Sequence, residues 1–196
     1  ARGGSTVVAC RFMSRIGRPK PYYCIDTFGG FVEEQLASDH RLGLPRGHDR
    51  LFRDNSRQRV ERTLARLEVR SNIHLVEADI CTIDDDRIPD GISVALLDVD
   101  LHDPIVAGLE KLYPKLAGGG VILVDDCKAG TSWVGADVGY RDFVTDAGLE
   151  PAYFLGFGVV VKENPSIPPL SWRLSSTPNS VPPNAYTSGG TPRLRP

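Results

Sequence analysis

A chain of 196 residues, 41% hydrophobic and 24% charged, has the make-up of an ordinary globular domain with room for a sizeable core. Its formal net charge of −2 gives no global case for nucleic acid or an anionic membrane as partner. No apolar run approaches the ~20 residues needed to span a bilayer and no signal peptide is visible, so a cytoplasmic protein is expected.

In chain order, Ser5 to Ile16 reads as a helix, with Ser5 or Thr6 as its cap behind Gly3-Gly4 and Val8, Cys10, Phe12 and Ile16 among its apolar positions. Pro21 to Ile25 is a strand closed by Asp26-Thr27-Phe28-Gly29-Gly30. Residues 32–57 are polar and aperiodic, which predicts a loop or lid with at most short helices. A helix over Ser56 to Leu67 and a strand over Ile73 to Val76 follow, the strand leading into Glu77-Ala78-Asp79 and a turn at Asp84-Asp85-Asp86.

Val94-Ala-Leu-Leu97 and Val121-Ile-Leu-Val124 are short, continuously apolar runs, the pattern of strands buried on both faces, and each ends abruptly in acid. Between them Ile105, Leu109, Leu112 and Leu116 fall at helical spacing before the breaker Gly118-Gly119-Gly120. This is a βαβ unit, whose right-handed crossover sets the strands parallel and brings Asp98 and Asp125 to one edge. Open α/β sheets place their ligands at that edge. A loop over Lys128 to Ala136, a helix near Asp137 to Asp146 and a hairpin pair at 150–154 and 158–162 complete a doubly wound, mostly parallel α/β sheet. The domain is expected over 1–163. From 164 to 196 a Pro-, Ser- and Gly-rich tail is expected to be extended or disordered, with Leu170 and Trp172 as residues that could dock back.

Charge is unevenly spread. Residues 41–70 hold nine arginines against four acids, whereas 77–103 hold nine acids and one arginine. Solvated helix and loop faces account for most of those arginines. The four cysteines, Cys10, Cys24, Cys81 and Cys127, form no close metal-type pairs and read as reduced core thiols.

Asp98, Asp125 and Asp126 form a candidate metal set. Crowded carboxylates raise one another's pKa unless a cation compensates, and all-oxygen ligation suits Mg²⁺ better than Zn²⁺. The competing reading is that one or two of these acids cap the helices that follow. Gly3 and Gly4 ahead of a helix would let backbone N–H groups approach an anion, although two glycines are also a simple turn. Asp26, at a strand end, is placed to accept from ribose hydroxyls or to cap its own turn.

Four motifs recur in order: Asp26-Thr-Phe-Gly-Gly-Phe31, Leu97-Asp98-Val-Asp100-Leu-His-Asp-Pro104, Leu112 through Asp126, and Phe157-Gly-Val-Val-Val-Lys162. Together they resemble the macrocin O-methyltransferase family, over about residues 1–163. The resemblance implies a Rossmann-like class I fold and a Mg²⁺-dependent transfer of methyl from S-adenosylmethionine to a hydroxyl, expected on a sugar, of a small natural product. It implies cofactor contacts at Gly3, Gly4, Ser5, Asp26 and Thr27, and at Asp79 and Ile80 beside adenine. It also implies metal contacts at Asp98, Asp125 and Asp126 and a general base at Asp100.

His102 competes for the base role because an imidazole titrates near neutrality. His40, His48 and Lys128 are loop residues, either lining an acceptor pocket or simply exposed. The family's first strand has no counterpart here, so an N-terminally truncated domain is expected, and a homo-oligomer is in keeping with the family. An NAD-dependent Rossmann oxidoreductase and a catalytically silent binding domain remain as alternatives.

Overall fold

The computed structural model describes residues 2–65, 67, 72–166 and 177–178. It divides into two compact units, 1–87 and 88–196. Among the described residues no helix is long and apolar enough to cross a membrane.

In the N-terminal unit, helix α1 (Gly4–Arg15) is followed by strand β1 (Tyr22–Asp26), helix α2 (Glu33–Leu42), helix α3 (Arg57–Leu64) and strand β2 (Ile73–Glu77). β1 and β2 pair in parallel, with Asp26 opposite Glu77 at their C-terminal ends. The core gathers Cys10 from α1, Cys24 from β1 and Val60 and Leu64 from α3, with Phe28 beneath the turn that leaves β1. The expected cap of α1 is corrected: Gly3, at φ 82°, holds the N-cap position and no side chain caps the helix. A Cβ there would also sit 3.4 Å from Val60. Of the expected apolar positions only Cys10 is buried, whereas Val8, Phe12 and Ile16 are exposed.

The lid expected over 32–57 contains a ten-residue helix, α2. Periodicity hid it, since Leu36 is its one buried apolar residue. Its end signals were legible. Glu33 and Glu34 occupy the first turn, His40 and Arg41 the last, and Gly43 closes it at φ 107°. His40 Nδ1 lies 2.9 Å from Leu44 O, so it serves the helix end. α3 begins as predicted, with Ser56 accepting from the backbone N–H of Arg59.

The C-terminal unit runs β3 (Ile92–Leu97), α4 (His102–Lys115), β4 (Leu116–Val124), α5 (Val134–Asp146), β5 (Tyr153–Phe154) and β6 (Phe157–Val161). Its sheet has the order β3-β4-β6-β5, with β3 and β4 parallel and the remaining pairs antiparallel. Leu101, Ile105 and Leu109 of the α4 region are fully buried, as are Ile122 and Val124 of β4 and Tyr140 of α5. The Tyr140 hydroxyl lies 2.9 Å from Ala152 N, whose N–H donates to it, and 3.1 Å from Val159 O, tying α5 to the hairpin.

Two expectations change here. β3 is not buried on both faces: Val94 and Leu96, which share one face at period two, are 67% and 42% exposed. The triple glycine is not a breaker before β4 but part of it. The pairing shifts register between Ile92 and Val94, and a Cβ on Gly120 would lie 2.6 Å from Ile92 O. Glycine lets the two backbones approach at this bulge. The Pro-rich tail, including Leu170 and Trp172, lies almost entirely outside the described residues.

Candidate functional site

In the N-terminal unit Asp26, Thr27, Asp79 and Ile80 follow the C-terminal ends of the parallel pair. Asp26 Oδ1 accepts the Phe28 N–H, an Asx-type turn that holds Phe28 at φ 54° and buries its ring. Thr27 Oγ1 donates to Gly30 O at 2.8 Å and closes the same turn. Asp79 is doubly engaged: Oδ1 accepts from Cys81 N at 2.9 Å and Oδ2 from Gln35 Nε2 at 2.8 Å. Ile80 beside it is buried. Gln35, on α2, is a residue that sequence reasoning passed over because its helix went unread. Gly3 packs on α3, whereas a Cβ on Gly4 would meet nothing within 4 Å, so the open position at the start of α1 is Gly4, with Ser5 exposed beside it.

In the C-terminal unit Leu97 pairs with Val124, so Asp98 and Asp125 leave one edge of the sheet together, as the crossover argument requires. Beyond them the backbone is unusual. Asp100 and Asp126 both have left-handed backbones, φ 65° and 57°, although neither is glycine. At Asp100 the Leu101 N–H donates to Val99 O at 2.7 Å, which makes Val99-Asp100-Leu101 a γ-turn of the rare positive-φ kind. Such strain persists where the surroundings fix it. Here Leu101 is fully buried and α4 starts directly after it.

Asp100 is the electrostatic centre of this edge. Burial first, then Asp98, Asp126 and Asp125, push its carboxyl up to about 7. Asp125 Oδ1 accepts the Asp126 N–H, and Asp126 Oδ1 accepts from Thr131 at 3.1 Å with Lys128 Nζ 3.5 Å away. The donor chemistry of Asp98, Asp125 and Asp126 suits a hard cation, being all oxygen. Their spacing in this conformation is not that of a ligand shell: among the described residues no three acidic, His or Cys side chains gather closely enough to hold an ion.

His102 does not present a free nitrogen. Nδ1 lies 2.8 Å from Asp103 Oδ1 and Nε2 2.9 Å from Asp142 Oδ2. Burial lowers its pKa, but the two carboxylates outweigh that and the net shift is upward. With a carboxylate at each ring nitrogen, the arrangement favours the protonated ring, which donates from both. Cys10, Cys24 and Cys127 are buried free thiols and Cys81 is half-buried. Burial pushes Cys127 up to about 12, as expected of inert core thiols.

The sequence matches the methyltransferase-domain family over residues 1–127. No protein of curated function matches it. Among solved structures, the fold is similar to that of the O-methyltransferase NovP, at 18% identity and a TM-score of 0.69, over 83% of this chain and 69% of that one. It is similar also to CalS11, a calicheamicin methyltransferase, at 20% identity and a TM-score of 0.56, over 78% of this chain and 66% of that one. The chain thus spans about two thirds of the length of either structure. At such identities the likeness is one of fold, the α/β methyltransferase fold. The family match covers well over half of the sequence, and the chain belongs to the methyltransferase-domain family.

Proposed function

We propose that this protein is an S-adenosylmethionine-dependent O-methyltransferase acting on a hydroxyl, preferably of a sugar, in a small natural product, as macrocin-type enzymes do. The observation that carries the reading is the placing of Asp100: a half-buried carboxylate on a strained turn just beyond the edge where Asp98 and Asp125 leave the sheet. A carboxylate held in place on such a turn can take a hydroxyl proton as it leaves. The solved structures similar in fold are named for O-methylation and for calicheamicin methylation, which favours oxygen in a natural product as the acceptor.

In this reading the N-terminal unit binds the methyl donor. Backbone N–H groups at the start of α1, beside Gly4 and Ser5, face its carboxylate. Asp26 accepts from its ribose, with Thr27 fixing the turn, and Asp79 and Ile80 attend its adenine. Asp100 removes the acceptor's hydroxyl proton as the oxygen attacks the methyl carbon and the carbon–sulfur bond breaks. Asp98, Asp125 and Asp126 supply the oxygen donors that Mg²⁺ takes, although they do not gather into a ligand shell here, and the chelator experiment decides whether they hold the ion. When bound, the ion would orient the acceptor hydroxyl and lower its pKa.

Membership of the methyltransferase family sets aside the NAD-dependent alternative. The silent-domain alternative is decided by experiment. The chain is incubated with methyl-labelled S-adenosylmethionine, Mg²⁺ and a panel of sugar-bearing and phenolic acceptors, and label in the acceptor is measured by mass spectrometry. Label on a sugar hydroxyl is the expected result. Label on phenols alone refutes the sugar preference, and donor binding without transfer to any acceptor favours the silent domain.

A further inference from the structure

We propose that His102 is a positioning residue, pinned between Asp103 and Asp142 so that it fixes the start of α4 and, through it, the strained turn that carries Asp100. The inference rests on the proposed role of Asp100 and adds a residue, Asp142, that neither the sequence motifs nor the family resemblance pointed to.

A cationic imidazole at a helix N-terminus is electrostatically misplaced, because the first turn of a helix carries partial positive charge. His102 is the first residue of α4, and both of its ring nitrogens are occupied by carboxylates, at 2.8 Å and 2.9 Å. The second carboxylate comes from α5, forty positions along the chain. The contact therefore ties two helices together and does more than satisfy a local charge.

The backbone agrees with the side chain. Gly139 of α5 lies against the same point: a Cβ there would sit 2.9 Å from His102 O and 3.2 Å from Ile105 Cβ. A glycine at this crossing lets α5 close on α4 where the ring is held. From His102 the chain runs back through buried Leu101, whose N–H closes the turn on Val99, to Asp100 at φ 65°. A strained γ-turn relaxes unless both flanks are held. β3 holds one flank. The His102–Asp142 contact and the Gly139 crossing hold the other.

The test compares His102→Ala, His102→Gln and Asp142→Ala in the full chain with two readouts. The first is amide hydrogen exchange at Leu101, referenced to Ile122 in β4. His102→Ala and Asp142→Ala are expected to speed Leu101 exchange by about tenfold or more with Ile122 unchanged. Glutamine, which keeps one donor, should restore most of the protection. Leu101 exchange that stays native in both alanine variants overturns the proposal, with or without methyl-transfer activity. The second readout is turnover: His102→Ala should lower kcat by about three- to thirtyfold with donor KM unchanged, and His102→Gln should recover most of it. A glutamine variant with a native turn and no turnover would make His102 the base and overturn the positioning role. If the wild-type protein transfers no methyl at all, the functional reading fails while the exchange measurement still decides the clamp.

Discussion

The backbone N–H of Asp125 donates to Leu97 O at 3.0 Å, so the parallel ladder of β3 and β4 extends past the last strand residue, and Asp98 and Asp125 leave it side by side. Adjacent strands lie about 4.8 Å apart, which sets the spacing from which these carboxylates start. Asp100 sits two residues beyond, on a separate turn. The two groups should fail differently. Asp100→Asn is expected to lower the methyl-transfer rate by about 10² to 10⁴-fold with donor affinity unchanged. Asp125→Asn should raise the Mg²⁺ concentration needed for half-maximal rate, and chelator should abolish turnover in the wild type. Single-turnover kinetics across a Mg²⁺ titration separates them. Full activity in chelator would refute the metal assignment.

Asp26 performs two tasks in the proposed reading, since its Oδ1 already accepts the Phe28 N–H. Asp26→Ala is expected to weaken S-adenosylmethionine binding by about 1.5 to 3 kcal/mol, roughly tenfold to more than a hundredfold in Kd. Calorimetry measures it. Asp26→Asn, which keeps an acceptor oxygen for Phe28, should preserve the turn and lose less affinity. Equal Kd for wild type and Asp26→Ala would place the ribose elsewhere.

Lys162 closes the C-terminal end of α4. Its Nζ donates to Pro114 O at 2.7 Å and to Leu116 O at 2.9 Å, carbonyls that the helix itself leaves unpaired. Lys162→Met keeps the aliphatic stem and removes both bonds, and should cost about 1 to 3 kcal/mol of stability. The urea midpoint should fall with an unchanged m-value. A midpoint equal to that of wild type would show that water replaces the ammonium without loss.

The pH dependence of His102 has a definite sign. Its folded pKa is raised above the ordinary value of 6.5, so folding favours the protonated ring. That contribution is complete below about pH 6.5 and disappears as pH rises through the folded-state pKa. Wild type should therefore be more stable than His102→Gln at pH 6, and the gap should narrow at alkaline pH. Urea unfolding of both proteins at pH 6, 7.5 and 9 measures the gap. A gap that widens with pH would show that the ring is held neutral.

Much of the fold was legible in the residues because it rests on local pattern. The apolar runs at 94–97 and 121–124 and the helical spacing from Ile105 to Leu112 mark a strand–helix–strand whatever surrounds them, and chirality then forces Asp98 and Asp125 to one edge. Asp26, closing β1 ahead of a glycine-rich turn, was readable for the same reason. α2 escaped because its evidence lay in its termini rather than in a stripe of apolar residues. The glycines of β4 looked like a break because a bulge is defined by its partner strand, here Ile92 at 2.6 Å from a would-be Cβ. What tertiary structure alone decided is the state of individual side chains. His102 read as a competitor for the base role, and only packing brings Asp142 to its ring from forty residues away, just as the upward shift of Asp100 arises only from burial and three acids gathered from two strand ends. Sequence sets which groups leave which strand; protonation and strain depend on distances between groups far apart in the chain, and only packing sets those.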